Sequence, residues 1–277
     1  MKRVATAVVL IAIVVAVVWR APDWLLFLAV LPFMWLGLWE YFELAGRMGQ
    51  APHRGLTYLG GLALCLLGWL QPAHLLPGLV AAGFLLLVNE AVLRKNHSEV
   101  LPGAATTFLG LLYVALPFGF LLYLRVTSGH TLVLLVLVLT WVGDTAAYYG
   151  GRALGRHPLA PHLSPGKTIE GALASLLATL AVGFWLVAPA STSLWLLRGL
   201  GWFPDSSLVH ALALPLALNL ASQGGDLFES ALKRAAGLKD SSRLLPGHGG
   251  ILDRIDGLLW ALPTLWYYYF YFFALST

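Results

Sequence analysis

The chain has little charge for its length: 11% of its 277 residues are Asp, Glu, Lys or Arg, whereas 59% are hydrophobic. A water-soluble domain carries about a quarter charged residues, so this sequence lacks the polar surface that a soluble globule needs. Several apolar runs approach the roughly 20 residues that cross a bilayer. The strand alternation of an outer-membrane barrel is absent. The composition therefore predicts an all-α, polytopic integral membrane protein.

Cysteine is nearly missing as well. The single cysteine, Cys65, cannot form an intrachain disulfide and is interpreted as a small buried side chain. The eight histidines show no mutual metal-ligand spacing and no C-x-x-C occurs, which argues against a zinc or iron–sulfur site. The net charge of +4 is not gathered into a basic stripe, so nucleic-acid binding is not expected.

Nine apolar segments are predicted to span the membrane. They cover about residues 4–19, 24–45, 56–71, 74–93, 100–124, 131–150, 170–188, 208–229 and 257–275. Lys2 and Arg3 before the first segment also suit a signal peptide. No small-x-small cleavage site followed by a polar start is evident, so we expect this segment to be retained.

The positive charges predict the orientation of these spans. With the N-terminus in the cytoplasm, all but three of the 17 Lys and Arg residues fall in inside segments; the exceptions are Arg20, Arg125 and Arg198. Cytoplasmic loops are the ones enriched in Lys and Arg. Two long polar loops, 151–169 and 230–256, then face the cytoplasm together.

Carboxylates at membrane depth are costly and are therefore candidates for function. Asp144 and Tyr148 are four residues apart on one helix face, and Arg152 lies one turn further along. A structural pair between the aspartate and an arginine is the alternative. Three other carboxylates are interpreted as structural or peripheral groups that reach the headgroup layer: Glu40, Glu43 and Glu90.

Residues 164–171, S-P-G-K-T-I-E-G, resemble the tail of a phosphate-binding loop. A Walker A motif needs glycine where Pro161 stands, so that motif is rejected. Pro165 suits the first turn of a helix. Exposed N–H groups there, together with Lys167 and Thr168, would attract a phosphate. An ordinary capped helix start remains the alternative.

A third polar group lies at the end of the eighth predicted span. Asp226, Glu229, Ser230 and Lys233 fall at i, i+3, i+4 and i+7, which places them on one helical face. Two carboxylates one turn apart can hold a hard cation through oxygen ligands. The alternative is a solvated face of salt bridges.

The last polar segment, 246–256, combines a glycine-rich turn with three charged residues. His248 lies between glycines, so the backbone there can wrap around a ligand. If the following residues are helical, Asp253 and Asp256 share one face, with Arg254 between them. The segment is predicted to be functional.

Together these segments resemble the signature of the phosphatidate cytidylyltransferases. The matching elements are Ser230-x-x-Lys233-Arg234, Lys239-Asp240, His248-Gly249-Gly250 and Asp253-Arg254-Ile255-Asp256. The segments Asp144 to Arg152, Ser164 to Gly171 and Gln223 to Asp226 are also similar to the family. The resemblance covers roughly residues 100–277, so we divide the chain into N-terminal spans, 1–95, and a catalytic membrane domain, 96–277.

The resemblance implies transfer of the cytidylyl group of CTP to phosphatidate, which gives CDP-diacylglycerol and pyrophosphate. It also implies a requirement for Mg²⁺, with a second cation left open, and a homodimer of about nine helices per chain. Without targeting extensions, the expected location is the inner membrane of a bacterium, with the active site facing the cytoplasm.

The resemblance also implies roles for individual residues. Asp226 and Asp253 are expected to bind the metal, with Asp256 and Asp144 as additional ligands. The cations that are expected to neutralise phosphates are Lys167, Lys233, Arg234 and Arg254. The first three are assigned as catalytic, and Arg254 is assigned as substrate-binding. The other substrate-binding positions are expected to be Ser164, Thr168, Glu170, Ser230, Lys239, Asp240, His248, Gly249 and Gly250.

Three alternatives stay open on the sequence. A CTP-dependent lipid kinase acting on a polyprenol would transfer the γ-phosphoryl group and release CDP. A CDP-alcohol phosphotransferase is disfavoured because its D-G-x-x-A-R pattern is absent. An ion-coupled transporter would carry Gly/Pro-broken helices in matching halves, and no such pairing is seen.

Overall fold

The computed structural model describes residues 2–188, 207–244 and 249–274, so the prediction for His248 lies outside the described residues. The described chain is almost entirely helical, which confirms the all-α membrane class. Five helical segments are long and apolar enough to cross a bilayer: Asp23–Arg47, Pro72–Leu93, His97–Ser128, His130–Leu154 and Ile169–Val187. The predicted total of nine spans and the cytoplasmic N-terminus stay predictions.

The N-terminal helices follow one another through short connections. They are α1 (Lys2–Arg20), α2 (Asp23–Arg47), α3 (Arg54–Leu70), α4 (Leu75–Leu93), α5 (Val100–Gly110) and α6 (Leu116–Ser128). Short 3₁₀ turns at Pro72–His74 and His97–Glu99 lead into α4 and α5. A π-helical turn, Leu111–Ala115, joins α5 to α6, so the predicted span 100–124 is one helical rod with a wide turn inside it.

The second half of the chain adds a small hairpin and four helices. They are α7 (His130–Leu154), β1 (Pro158–Ala160), β2 (Ser164–Thr168), α8 (Ile169–Val187), α9 (Leu208–Ala235) and α10 (Leu252–Tyr269), and a π-helical turn follows at Phe270–Ala274. Each of the nine predicted spans coincides with a helical segment, although residue 275 lies outside the described residues.

The predicted helix start at Pro165 is wrong. Residues Ser164–Thr168 form β2, which pairs antiparallel with β1. The helix begins only at Ile169, where the Thr168 side chain accepts a hydrogen bond from the N–H of Gly171 at 3.1 Å. Proline is tolerated in such an edge strand because its missing N–H need not join a ladder. The phosphate-loop-like sequence therefore lies on a hairpin that leads into a capped helix.

The predicted loop 230–256 is shorter than expected. Helix α9 continues to Ala235, and α10 begins at Leu252. The extension of α9 is favoured by the ion pair between Glu229 and Lys233, which are four residues apart on the helix. The polar turn between the two helices is thus confined to residues 236–251, of which the structure describes 236–244 and 249–251.

The helices that carry the polar segments form one bundle. Helix α8 packs against both α7 and α9, and α10 packs along α9 and also contacts α6, α7 and α2. Small residues allow close crossings. A Cβ atom on Gly225 of α9 would lie only 2.6 Å from the carbonyl oxygen of Asp256 in α10. The crossing therefore brings the neighbouring Asp226 next to α10.

Two of the carboxylates expected to reach the headgroup layer are instead fully buried. Glu90 is 0% exposed and accepts a hydrogen bond from Arg94 Nε at 2.6 Å. Glu40 is also 0% exposed and lies in the interior of the protein. Only Glu43 is largely open to its surroundings, with a side chain that is 43% exposed and pairs with Arg54.

Candidate active site

A cavity of about 510 Å³ lies where α7, α8, α9, α10 and the hairpin meet. Its polar and charged lining comes from every segment singled out in the sequence: Asp144, Tyr148, Arg152, Lys167, Thr168, Ser175, Gln223, Asp226, Asp253, Arg254 and Asp256. Segments that are distant in the sequence therefore converge on one space. Metal-candidate aspartates and phosphate-candidate cations line the same cavity.

Three of the aspartates form an acidic wall. The carboxyl groups of Asp226 and Asp256 line the cavity from adjacent helices and are close enough to interact electrostatically. Asp144 lines the cavity from α7, and its carboxyl group interacts electrostatically with Asp226, Lys167 and Arg254. Carboxylates this close repel each other unless a proton or a cation lies between them. A cation bound at this wall would therefore stabilise the ionised carboxyl groups.

Basic side chains face this wall. Lys167, on β2, forms an ion pair with Asp226. Arg254 lines the cavity from α10, and Arg152 lines it from α7, where its Nη1 lies 3.4 Å from the hydroxyl of Tyr148. The first turn of α8 adds Thr168 and Gly171 to the lining, and a helix N-terminus attracts anions. The cavity can thus hold an anionic ligand beside its carboxylates.

Lys233 links two other carboxylates rather than facing the cavity directly. Its Nζ pairs with the fully buried Glu229 and lies 2.6 Å from Oδ1 of Asp253. The sequence pattern predicts that Glu229 and Asp226 can hold a cation together, whereas in the structure Glu229 pairs with Lys233. The i, i+4 spacing from Glu229 to Lys233 was the signal for it.

Both oxygens of Asp253 are already engaged. Besides Lys233 on Oδ1, its Oδ2 accepts hydrogen bonds from Gly250 N at 2.7 Å, Ser241 N at 3.0 Å and Ser241 Oγ at 2.9 Å. Asp253 precedes the predicted span 257–275. Burial would raise its pKa, but Lys233 and the two N–H groups outweigh burial and hold the pKa at about 2. Among the described residues, Oδ1 accepts only from Lys233, so it keeps a lone pair that is free to ligate a metal ion.

The carboxylates suit a metal that is shared with a ligand. Within residues 2–188, 207–244 and 249–274, no three His, Cys, Asp or Glu side chains are grouped to hold an ion by themselves. Mg²⁺ in nucleotide enzymes is commonly held by one or two carboxylates, with substrate phosphates and water supplying the other oxygens. The adjacent carboxyl groups of Asp226 and Asp256 fit that donor set.

Two predicted site residues hold the hairpin in place. Arg234 donates from Nε to the carbonyl oxygen of Leu163 at 3.0 Å, and from Nη1 to that of Leu238 at 3.0 Å. Glu170 accepts hydrogen bonds from the backbone N–H groups of Arg156 at 3.1 Å and His157 at 3.3 Å. Both side chains therefore fix the strand that carries Lys167.

The other predicted substrate-binding residues that the structure describes are not part of the cavity lining. Ser164 begins β2, Ser230 is buried in α9, and Lys239 and Asp240 are exposed in the turn after α9. Gly249 adopts φ +78°, a conformation that favours glycine. A Cβ on Gly250 would collide with Ser241 Oγ and Glu40 Oε1, so this turn packs tightly against carboxylates. Contact of these residues with a substrate stays a prediction.

Glu40 is the functional candidate that sequence reasoning missed. Its carboxylate accepts hydrogen bonds from Ser242 Oγ at 2.6 Å, Ser241 Oγ at 3.0 Å, Ile251 N at 2.9 Å and Leu252 N at 2.6 Å. No local pattern signals these contacts, because the partners lie more than 200 residues further along the chain.

Comparisons with known proteins point to one family. A family model described as the cytidylyltransferase family matches residues 1–272. A phosphatidate cytidylyltransferase of Haemophilus influenzae is 34% identical, over 99% of each chain. Proteins of the same name are 38% identical in Staphylococcus saprophyticus, over 69% of this chain and 67% of theirs, and 37% identical in Staphylococcus aureus, over 71% and 70%.

Proposed function

The chain belongs to the cytidylyltransferase family, and we propose that it transfers the cytidylyl group of CTP to phosphatidate. The products are CDP-diacylglycerol, which enters phospholipid synthesis, and pyrophosphate. One observation of the structure carries the proposal most directly. Four polar segments meet at a single cavity, where an acidic wall faces cationic side chains among membrane helices.

The chemistry needs electrostatic help more than an activated nucleophile. A phosphate oxygen of phosphatidate forms a bond to the α-phosphorus of CTP, and the bond from that phosphorus to the oxygen that bridges to the β-phosphate breaks. The electron pair leaves with pyrophosphate. Since the phosphomonoester is anionic near neutral pH, no serine–histidine pair is required. The barrier comes from bringing two anions together, which fixed positive charge lowers.

The basic residues of the cavity are proposed to bind the phosphates. Lys167 and Arg254 line the cavity and would neutralise the triphosphate, and Arg152 would extend this cationic surface along α7. The first turn of α8 would add backbone N–H groups. Lys233 would act indirectly, by holding Asp253 in place. Arg234 would act indirectly too, by holding the hairpin in place.

Mg²⁺ is proposed as the cofactor. Asp226 and Asp256 would hold it, with Asp144 close by as an additional ligand. When bound, the ion would offset negative charge on the triphosphate and on the departing pyrophosphate. Asp253, which also lines the cavity, is proposed as a further metal ligand that holds Lys233 and the turn 236–251 as well.

The proposal is tested with the purified full-length chain in detergent, supplied with phosphatidate and Mg²⁺. Label from [α-³²P]CTP is expected to enter the lipid extract, while label from [γ-³²P]CTP is expected in pyrophosphate. Lipid labelled only by the γ-label would mean a lipid kinase. No labelled lipid with either labelled CTP, from folded protein, would reject the proposed transfer to phosphatidate. The D226N variant should transfer far less label, and D23N is its matched control, since Asp23 lies at the far end of α2 and pairs with Arg125.

The chain is an integral membrane protein, and we propose a bacterial inner-membrane location with a cytoplasmic N-terminus and active site. The charge bias between loops supports this orientation. The single native cysteine, Cys65, is buried, so cysteines introduced at exposed positions can be labelled selectively. Residues 164–171 and 236–251 should react from the cytoplasmic side. Opposite sides would overturn the orientation. A homodimer is proposed too, and light scattering in detergent tests it.

A further inference from the structure

Glu40 occupies an unusual position for a carboxylate of a membrane helix. It lies in α2, outside the part of the chain that carries the signature, and it is 0% exposed. An ionised carboxylate in such a place is costly unless hydrogen bonds compensate it. Four donor groups, two hydroxyls and two backbone N–H groups, lie within hydrogen-bonding distance of its two oxygens, and the single hydrogen of the Ser241 hydroxyl is shared with Asp253. Three complete hydrogen bonds and one shared one therefore compensate the burial.

These four donors come from both ends of the turn 236–251. Ser241 and Ser242 lie near its beginning, while Ile251 and Leu252 lie where α10 starts. The first N–H groups of a helix have no partner within the helix. Ile251, at the N-cap position of α10, has no side chain that accepts a hydrogen bond. Glu40 takes over that capping role from another helix.

The same contacts extend to the cavity. The hydroxyl of Ser241 lies 3.0 Å from Oε2 of Glu40 and 2.9 Å from Oδ2 of Asp253, so one serine bridges the two carboxylates. Asp253 in turn holds Lys233 at 2.6 Å. The start of α10, which Glu40 caps, also carries Arg254 and Asp256 into the cavity lining.

We propose that Glu40 is a positioning residue for the transfer reaction. It fixes the turn 236–251 and the start of α10, and thereby places Asp253, Arg254 and Asp256. It acts only through Ser241, Ser242 and the N–H groups of Ile251 and Leu252. The effect on catalysis rests on the proposed function, whereas the effect on the turn does not.

The decisive variant is E40Q in the full-length chain. Glutamine keeps one acceptor oxygen but turns an NH₂ group toward O–H and N–H donors, so the turn should loosen. We expect kcat to fall about tenfold or more, because small misplacements of reacting groups are costly. The KM for CTP should rise by less than kcat falls, because Arg254 shifts with the start of α10 while Lys167 and the α8 terminus stay in place. Trypsin should cleave after the exposed Arg243 at least about fivefold faster, because cleavage follows local opening.

The matched control is E90Q, which alters another fully buried carboxylate that binds Arg94, remote from this turn. It should lower thermal stability yet leave both kcat of the folded fraction and cleavage after Arg243 within about twofold. Unchanged kcat and cleavage in E40Q would overturn the proposal. Equal changes in E40Q and E90Q would overturn it too, because they would reflect general destabilisation.

Two further measurements cover the cases in which E40Q does not fold or the wild-type protein is inactive. If E40Q is not recovered folded, S242A removes the donor at 2.6 Å, together with the acceptor of the Leu244 N–H at 3.1 Å, so kcat rather than cleavage after Arg243 decides; kcat should fall, and an unchanged kcat would overturn the proposal. If the wild-type protein transfers no label from CTP, the proposed function fails. The trypsin comparison then still decides whether Glu40 holds the turn.

Discussion

Asp226 of α9 and Asp256 of α10 line one cavity, with carboxyl groups close enough to interact electrostatically. They are brought together because Gly225 has no side chain to keep α9 away from the backbone of α10. Two helices that are separate in the sequence thus supply one pair of oxygen donors. The pair is the part of the cavity that most needs a cation.

Replacing Asp226 with asparagine should therefore abolish most turnover. D226N removes one negative charge from the acidic wall and also the partner of Lys167. We expect kcat to fall by about 100-fold or more, as when a single charge-stabilising group is lost. The Mg²⁺ concentration for half-maximal rate should also rise. Both are measured by lipid-extractable label against Mg²⁺, with D23N as the control. Wild-type values in D226N would remove this residue from the metal site.

The sequence predicted the helices because their signal is local. Long apolar runs define spans through their length, and each predicted span falls on a helix. The face formed by Asp226, Glu229 and Lys233 was also predictable, because i, i+3 and i, i+4 spacings carry over directly to a helix. The meeting of the polar segments at one cavity followed from placing both polar loops on one side of the membrane.

Features that depend on distant contacts were not predictable. Pro165 suited a helix start equally well, and only pairing of β2 with β1 decides for a strand. Glu40 looked like a headgroup-level carboxylate, because nothing near it in the sequence points to Ser241 or Leu252. Likewise, the sequence gives no sign that Asp253 uses both oxygens for Lys233 and the turn. Residue roles that are assigned from sequence position alone can be refined only once such contacts are known.

Lys233 is predicted to matter for stability as well as activity. K233M would leave Glu229 and Asp253, which are 0% and 9% exposed, without the cation between them. Removing one partner from a buried ion network typically costs about 3–5 kcal/mol. The thermal midpoint in detergent should fall clearly. K95M, at an exposed lysine, should leave the midpoint unchanged; an equal shift in both variants would contradict the buried network.

Gly250 is predicted to tolerate no side chain. In G250A the new methyl group would displace Ser241 Oγ or Glu40 Oε1, since both occupy the space beside Gly250. Misplacement of the turn by about 1 Å could cost roughly 100-fold in rate. Activity should fall, and trypsin should cleave faster after Arg243. G46A is the control, because a Cβ there meets nothing within 4 Å and alanine favours the helix. Full activity of G250A would show that the turn can shift freely.

Arg234 is predicted to act on binding more than on the chemical step. Its guanidinium holds the carbonyl oxygen of Leu163, in the hairpin whose second strand carries Lys167 into the cavity. R234M removes that hydrogen bond, and hydrogen bonds to charged groups contribute about 1.5–3 kcal/mol. We therefore expect the KM for CTP to rise about tenfold, with kcat lowered less than about threefold. Steady-state rates against CTP concentration measure both, and R47M, at the exposed end of α2, is the control. A loss confined to kcat would mean that Arg234 contacts the reacting phosphates, as the family resemblance implies, rather than the hairpin alone.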